Sequence, residues 1–159
     1  MSKYIYLIFI LFLFVGCSQK SPYASSKAYF VVIKNPKLAL ADTGFIKKDD
    51  KRLNLQLFSA SKPIFDLHVK DDICVDYVCL TKVSFNKEFF GYKHYEDFVN
   101  ELFNMKPIYE QKNLIKTKDG FEQKIKTDNY DINYKIENKN LYFKDKKNKI
   151  LIKLKELGK

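Results

Sequence analysis

Few residues in this chain have types and spacings suited to chemistry: three cysteines and two histidines are the main candidates. Cys74 and Cys79 form a Cys-x4-Cys pair. A zinc site would need two further ligands at suitable spacing, and none is close in sequence. Across a hairpin loop, two cysteines bring their Cβ atoms within about 4 Å, as a disulfide requires. The pair is therefore expected to be a structural disulfide in preference to a metal or redox site. His94-Tyr95-Glu96 has the His-x-Glu of a zinc deaminase, but here the cysteines come first and are wrongly spaced. His68 is expected on the same strand face as Asp66, without a positioned nucleophile, and both histidines are expected at the surface. There is no Gly-x-Ser-x-Gly, no glycine-rich phosphate loop and no His-Glu-x-x-His. The expectation is a protein without catalytic residues, metal or cofactor, and not an enzyme.

The remaining cysteine, Cys17, has a different context. Lys3 precedes an unbroken apolar run, Tyr4 to Val15, and then Gly16. A positive start, a short apolar stretch and a small residue describe a secretory signal peptide. A dozen helical residues span only about 18 Å, against a hydrocarbon core of about 30 Å, so a transmembrane helix is the poorer reading. Phe14-Val15-Gly16-Cys17 resembles the bacterial lipobox, with Phe14 in place of the usual leucine. That resemblance implies cleavage after Gly16 and acylation of the Cys17 sulfur. The expected organisation is a signal peptide over 1–16, a lipidated terminus and Ser-rich tether over 17–26, and one β-rich domain over 27–159. Ser18, where an aspartate often retains lipoproteins in the inner membrane, favours the outer membrane of a Gram-negative bacterium.

The formal net charge is +10, carried almost entirely by lysine, with Arg52 the only arginine. Export argues against nucleic acid as the partner. Anionic lipid head groups are the more suitable counterpart outside the cytoplasm, and the simplest reading is that lysines solvate exposed strand faces. With Cys17 assigned to the lipid, Cys74 and Cys79 remain as an even pair in an oxidising compartment.

From Lys27 onward the pattern is that of short strands. Ala28 to Ile33 and Leu38 to Ile46 are strand candidates, the second with Gly44 as a possible bulge. Leu53, Leu55 and Leu57 alternate with polar residues, as do Phe65, Leu67 and Val69 with Asp66 and His68 on the opposite face. Ile73 to Val75 and Val78 to Val83 read as a hairpin carrying the cysteines. Phe85 to Gly91 fits one helical turn. Tyr95, Phe98, Val99, Leu102 and Phe103 then form an apolar stripe at helical spacing, ended by Pro107, and predict the main helix. Strands resume, the clearest being Tyr130 to Ile136. The expected fold is mainly β (α+β): a twisted antiparallel sheet of nine or ten strands forming an unclosed half-barrel, with one helix as plug or lid.

A concave apolar sheet face suits acyl chains, because hydrocarbon enters it without leaving polar groups unpaired. The expected cavity or lid residues are Leu55, Leu57, Phe65, Leu67, Phe98, Leu102, Ile132 and Tyr134. The order of elements resembles the LolB family of outer-membrane lipoprotein receptors. The resemblance is carried by Phe98 to Pro107, by Gln123 ahead of Tyr130-Asp131-Ile132-Asn133-Tyr134, and by the closing run Asn148 to Leu154. It implies an acyl-binding cavity, attachment to the outer membrane through acyl chains, and lipoprotein acyl groups and a periplasmic carrier as partners. The alternative is an envelope lipoprotein that acts as a protein-interaction module without lipid transfer.

Overall fold

The computed structural model describes residues 23–49 and 51–158. The signal peptide, Cys17 and most of the expected tether lie outside the described residues. Among the described residues, no helix is long and apolar enough to cross a membrane.

The fold is mainly β. Eleven antiparallel strands form one sheet in the order β6-β5-β4-β3-β2-β1-β11-β10-β9-β8-β7. The first half comprises β1 (Ser25–Lys34), β2 (Ala39–Lys48), β3 (Leu53–Ser59), β4 (Lys62–Val69), β5 (Asp72–Val75) and β6 (Val78–Thr81). The second comprises β7 (Leu114–Thr117), β8 (Gly120–Lys126), β9 (Asp131–Glu137), β10 (Asn140–Asp145) and β11 (Ile150–Glu156). The chain thus starts mid-sheet, meanders to one edge, crosses through helical segments to the other edge and meanders back. Pairing of β1 with β11, Val31 opposite Leu154 and Ile33 opposite Ile152, joins the halves. The sheet is not closed: β6 and β7 are its two edges.

Period-two alternation puts one face of nearly every strand into a single core. Tyr29, Val31 and Ile33 of β1, Leu53, Leu55 and Leu57 of β3, and Ile150, Ile152 and Leu154 of β11 are all buried in it. Tight turns hold the registers. Ala60-Ser61, Asp76-Tyr77 and Asn138-Lys139 all have both residues at positive φ, the twist that two-residue hairpins require.

Two features differ from the sequence expectation. Gly44 is not a bulge; it pairs regularly with Tyr29 and Leu57. The irregularity lies between β3 and β4, where Leu57 faces Phe65 but Phe58 faces Pro63. Gly44 is glycine because β3 runs too close for a side chain: a Cβ there would lie 2.3 Å from the Gln56 carbonyl oxygen. Gly44→Ala is expected to cost about 2 kcal/mol through forced separation of β2 and β3, read as a fall in Tm of about 5 °C.

The second difference concerns the helices. The longer one is α1 (Lys82–Phe90), not the predicted Tyr95–Phe103 stripe, which forms only the six-residue α2 (Phe98–Phe103). Lys82 and Val83, read as strand because of the β-branched run before them, belong to α1. Thr81 caps it by accepting a hydrogen bond from the Ser84 amide (3.3 Å), and Gly91 ends it in the left-handed conformation, φ 72°.

Candidate functional site

All eight residues expected to line a cavity lie in the core. Leu55, Leu57, Phe65, Leu67, Phe98, Leu102, Ile132 and Tyr134 are buried and belong to one cluster. Phe98 and Tyr134 each approach Phe143, with ring centroids 6.0 and 6.2 Å apart. These side chains fill space between sheet and helices, and of the eight only Phe65 also borders a described cleft.

That cleft is an apolar groove of about 290 Å³ between α1 and the β4–β6 end of the sheet. Leu38, Phe65, Val75, Val78, Leu80, Phe85 and Phe89 line it together with the polar Asn35, Lys37 and Glu88. Phe85 and Phe89, four residues apart on α1, face the same way and stack with centroids 5.1 Å apart. Asn35 fixes the mouth. Its side-chain oxygen accepts from the amides of Lys37 and Leu38, and its amide nitrogen donates to the Phe89 carbonyl at the end of α1 (3.2 Å). Beside the groove, at the β5–β6 tip, Tyr77 is fully exposed and Val78 is 69% exposed.

A second cleft, about 520 Å³, opens where the segment after α1 meets the turn after α2; Tyr92, His94, Tyr95, Glu101, Tyr109 and Tyr130 line it. The structure corrects one expectation here: His94 is not at the surface but only 2% exposed. Its ring stacks on Phe98 at 4.0 Å, and its Nδ1 is hydrogen-bonded to the Tyr109 hydroxyl. Burial pushes its pKa down to about 4, against a smaller opposing pull from Asp145. Burial also drives the Tyr95, Tyr109 and Tyr134 phenols well above their ordinary range. Imidazole and phenols are thus all uncharged at neutral pH, as their burial in the seam between helices and sheet favours. His68, by contrast, is exposed, with its Nε2 3.0 Å from Asp66 Oδ1.

Two buried amides lock this seam. Asn86 donates to the carbonyls of His94 (3.2 Å) and Tyr95 (2.8 Å). Gln123 accepts from the Ile108 amide (2.9 Å) and donates to the carbonyls of Ile108 (2.9 Å) and Lys112 (2.8 Å). Its grip spans the left-handed turn Tyr109-Glu110-Gln111, with φ of 51°, 51° and 65°. Tyr95 completes the closure, accepting from the Tyr109 amide (3.0 Å) and donating to the Glu101 carboxylate.

Cys74 and Cys79 form the expected disulfide. Among the described residues no group of three or more His, Cys, Asp or Glu is arranged to hold a metal ion. The Phe85 and Phe89 wall went unread as a site, although the i, i+4 aromatic spacing closed by Gly91 was there to see. Neither the family models nor the curated proteins contain a match to this chain.

Proposed function

We propose that this chain is a membrane-anchored lipoprotein whose sheet forms an unclosed half-barrel plugged by its helices and whose apolar groove binds an acyl chain. The role is LolB-like: held by acylated Cys17 at the outer membrane, the groove receives lipoprotein acyl groups from a periplasmic carrier. One observation carries the reading: the groove beside α1 is lined mainly by apolar side chains, seven against the polar Asn35, Lys37 and Glu88. At about 290 Å³ it lies near the lower end of the roughly 300–1,000 Å³ range of ligand pockets, a size suited to part of one hydrocarbon chain. Dimensions support the half-barrel. Eleven strands laid flat span about 48 Å at roughly 4.8 Å each, whereas a helix of nine residues is only about 13 Å long. A sheet with one buried face and so little helix must curl to bury it.

The test uses the mature protein starting after Cys17 and a fluorescent fatty-acyl probe. The groove places the informative substitution at Phe89, which is only half-buried, because charges at Phe98 or Leu102 would fall in the packed core. Phe89→Glu is expected to weaken probe binding at least about tenfold, the loss of roughly 1.4 kcal/mol of apolar contact, with the far-UV spectrum unchanged. Equal binding by both proteins, or no uptake by either, would reject the reading. The fully exposed Tyr77 and its neighbour Val78 favour one second reading, a protein-interaction module, which predicts no uptake and a partner lost on Tyr77→Ser.

A further inference from the structure

The outer face of the β3–β6 end carries a row of four directly opposed residues: Asn54, His68, Cys74 and Cys79. Neighbours in such a row have Cβ atoms about 4.5–5.5 Å apart, so His68 is the cross-strand neighbour of Cys74 on one side and of Asn54 on the other, whose Nδ2 lies 3.4 Å from both ring nitrogens. Cys74 is half-buried, and Cys79 is exposed on the edge strand β6. Both sulfur-bearing residues, with His68 and Asp66, border one small cleft of about 250 Å³.

The imidazole is held in place from behind. His68 Nε2 pairs with Asp66 Oδ1 at 3.0 Å. That carboxylate is itself gripped by two amides, Asn54 Nδ2 donating to Oδ1 (2.6 Å) and Gln56 Nε2 to Oδ2 (3.0 Å). Asn54 is only 2% exposed although it lies on the outer face. A disulfide, a histidine next to it and a carboxylate orienting that histidine make up the constellation in which a base or acid is oriented by a third group.

The hairpin has little structural need of the bond. Its turn, Asp76-Tyr77, already has the backbone that two-residue hairpins use. Its register to β4 is set by Leu67 opposite Val75 and Val69 opposite Ile73, and by reciprocal bonds between Asp66 and Asp76, both 3.0 Å. Ile73 is fully buried. In the chain-entropy model the shortest closed loops stabilise least, and here the pairing is in place without the bridge.

We propose that the Cys74–Cys79 bond is a site of thiol–disulfide exchange with small thiols, with His68 serving the departing Cys74 sulfur and Asp66 acting as a positioning residue. The attacking thiolate, its proton lost to solvent, bonds to the exposed Cys79 Sγ. The Cys79–Cys74 bond breaks, its electron pair goes to Cys74 Sγ, and a proton taken from solvent is relayed through the His68 imidazole to that sulfur. A second thiol then attacks the mixed disulfide at the sulfur of the first thiol and leaves Cys79 reduced. In sum, two thiols become one external disulfide and the protein disulfide becomes two thiols. This goes beyond the expected structural disulfide, and it is independent of acyl binding.

The experiment incubates the folded protein with glutathione, quenches by alkylation and reads adducts by mass spectrometry. The expected result is a mixed disulfide on Cys79. Reduction is expected to be at least about tenfold slower in His68→Gln, the low end for a positioned proton donor, and slowed less in Asp66→Asn. In urea all three proteins should react at one rate, because the row of four exists only when folded. A Cys74→Ser variant should capture glutathione stably at Cys79. Glutathione on Cys74, equal rates for His68→Gln and the unaltered protein when folded, or reduction only in denaturant would each overturn the proposal.

Discussion

Gln123→Leu is expected to destabilise the protein by about 3 kcal/mol. The two side chains have similar size, so the change leaves little cavity. It leaves two backbone groups without their partner, the amide of buried Ile108 and the carbonyl of Lys112, while the Ile108 carbonyl keeps only the Gln111 amide (3.2 Å). Each orphaned buried group costs about 1–3 kcal/mol. Part of that is returned, because the left-handed turn Tyr109-Glu110-Gln111 is then free to relax, and such conformations cost about 1–2 kcal/mol per residue. A domain typically has only about 5–15 kcal/mol of stability in all. The measurement is the urea midpoint, together with near-UV dichroism to follow Tyr109 leaving its contacts with His94 and Tyr130. A loss below about 1 kcal/mol would mean that the amide is not what holds the turn.

The second large effect is on the pH dependence of stability. His94 titrates near 6.5 in the unfolded chain, but in the fold burial lowers its pKa to about 4. Between these values the unfolded chain binds more protons, so stability is full above about pH 6.5 and declines as pH falls towards 4. The total loss is about 3 kcal/mol, from roughly 1.4 kcal/mol per unit. Comparing urea midpoints at pH 7 and pH 4 for the unaltered protein and His94→Phe isolates the effect. The phenyl ring keeps the stack on Phe98 and removes the titration, so the variant should lose distinctly less stability on acidification. Every other side chain is the same in both proteins, so its contribution cancels. An equal acid loss in the two would show that His94 is not the group responsible.

Several elements were legible in the residues. Alternation in Leu53-Asn54-Leu55-Gln56-Leu57 and in Tyr130 to Ile136 named both the strands and their inward faces. The Cys74 and Cys79 spacing named the disulfide. Gly91 marked the end of a helix. The strands were miscounted by at least one, because short edge strands such as β7 (Leu114–Thr117) carry too few residues for periodicity to speak.

The helices were misjudged for a related reason. The stripe Tyr95 to Phe103 has helical spacing, yet helix covers only Phe98–Phe103. Tyr95 instead turns its hydroxyl to Glu101 and to the Tyr109 amide, tertiary contacts that no local pattern contains. The α1 residues look weakly amphipathic alone and are kept helical by their caps and by packing of Phe85 and Phe90 in the core. Tertiary packing commonly overrides weak local propensity in this way.

The chain's residue order alone was enough to determine that this is a β-rich domain with one apolar face per strand, because side-chain alternation is a local, geometric property of extended backbone. Where polar groups end up is not local. That His94 is neutral in a buried seam, that Gln123 clamps a turn eleven to fifteen residues away in sequence, and that His68 stands beside Cys74 follow from strand order and crossover. Those were settled when the meander brought distant segments together, since burial and charge depend on neighbours in space and not along the chain.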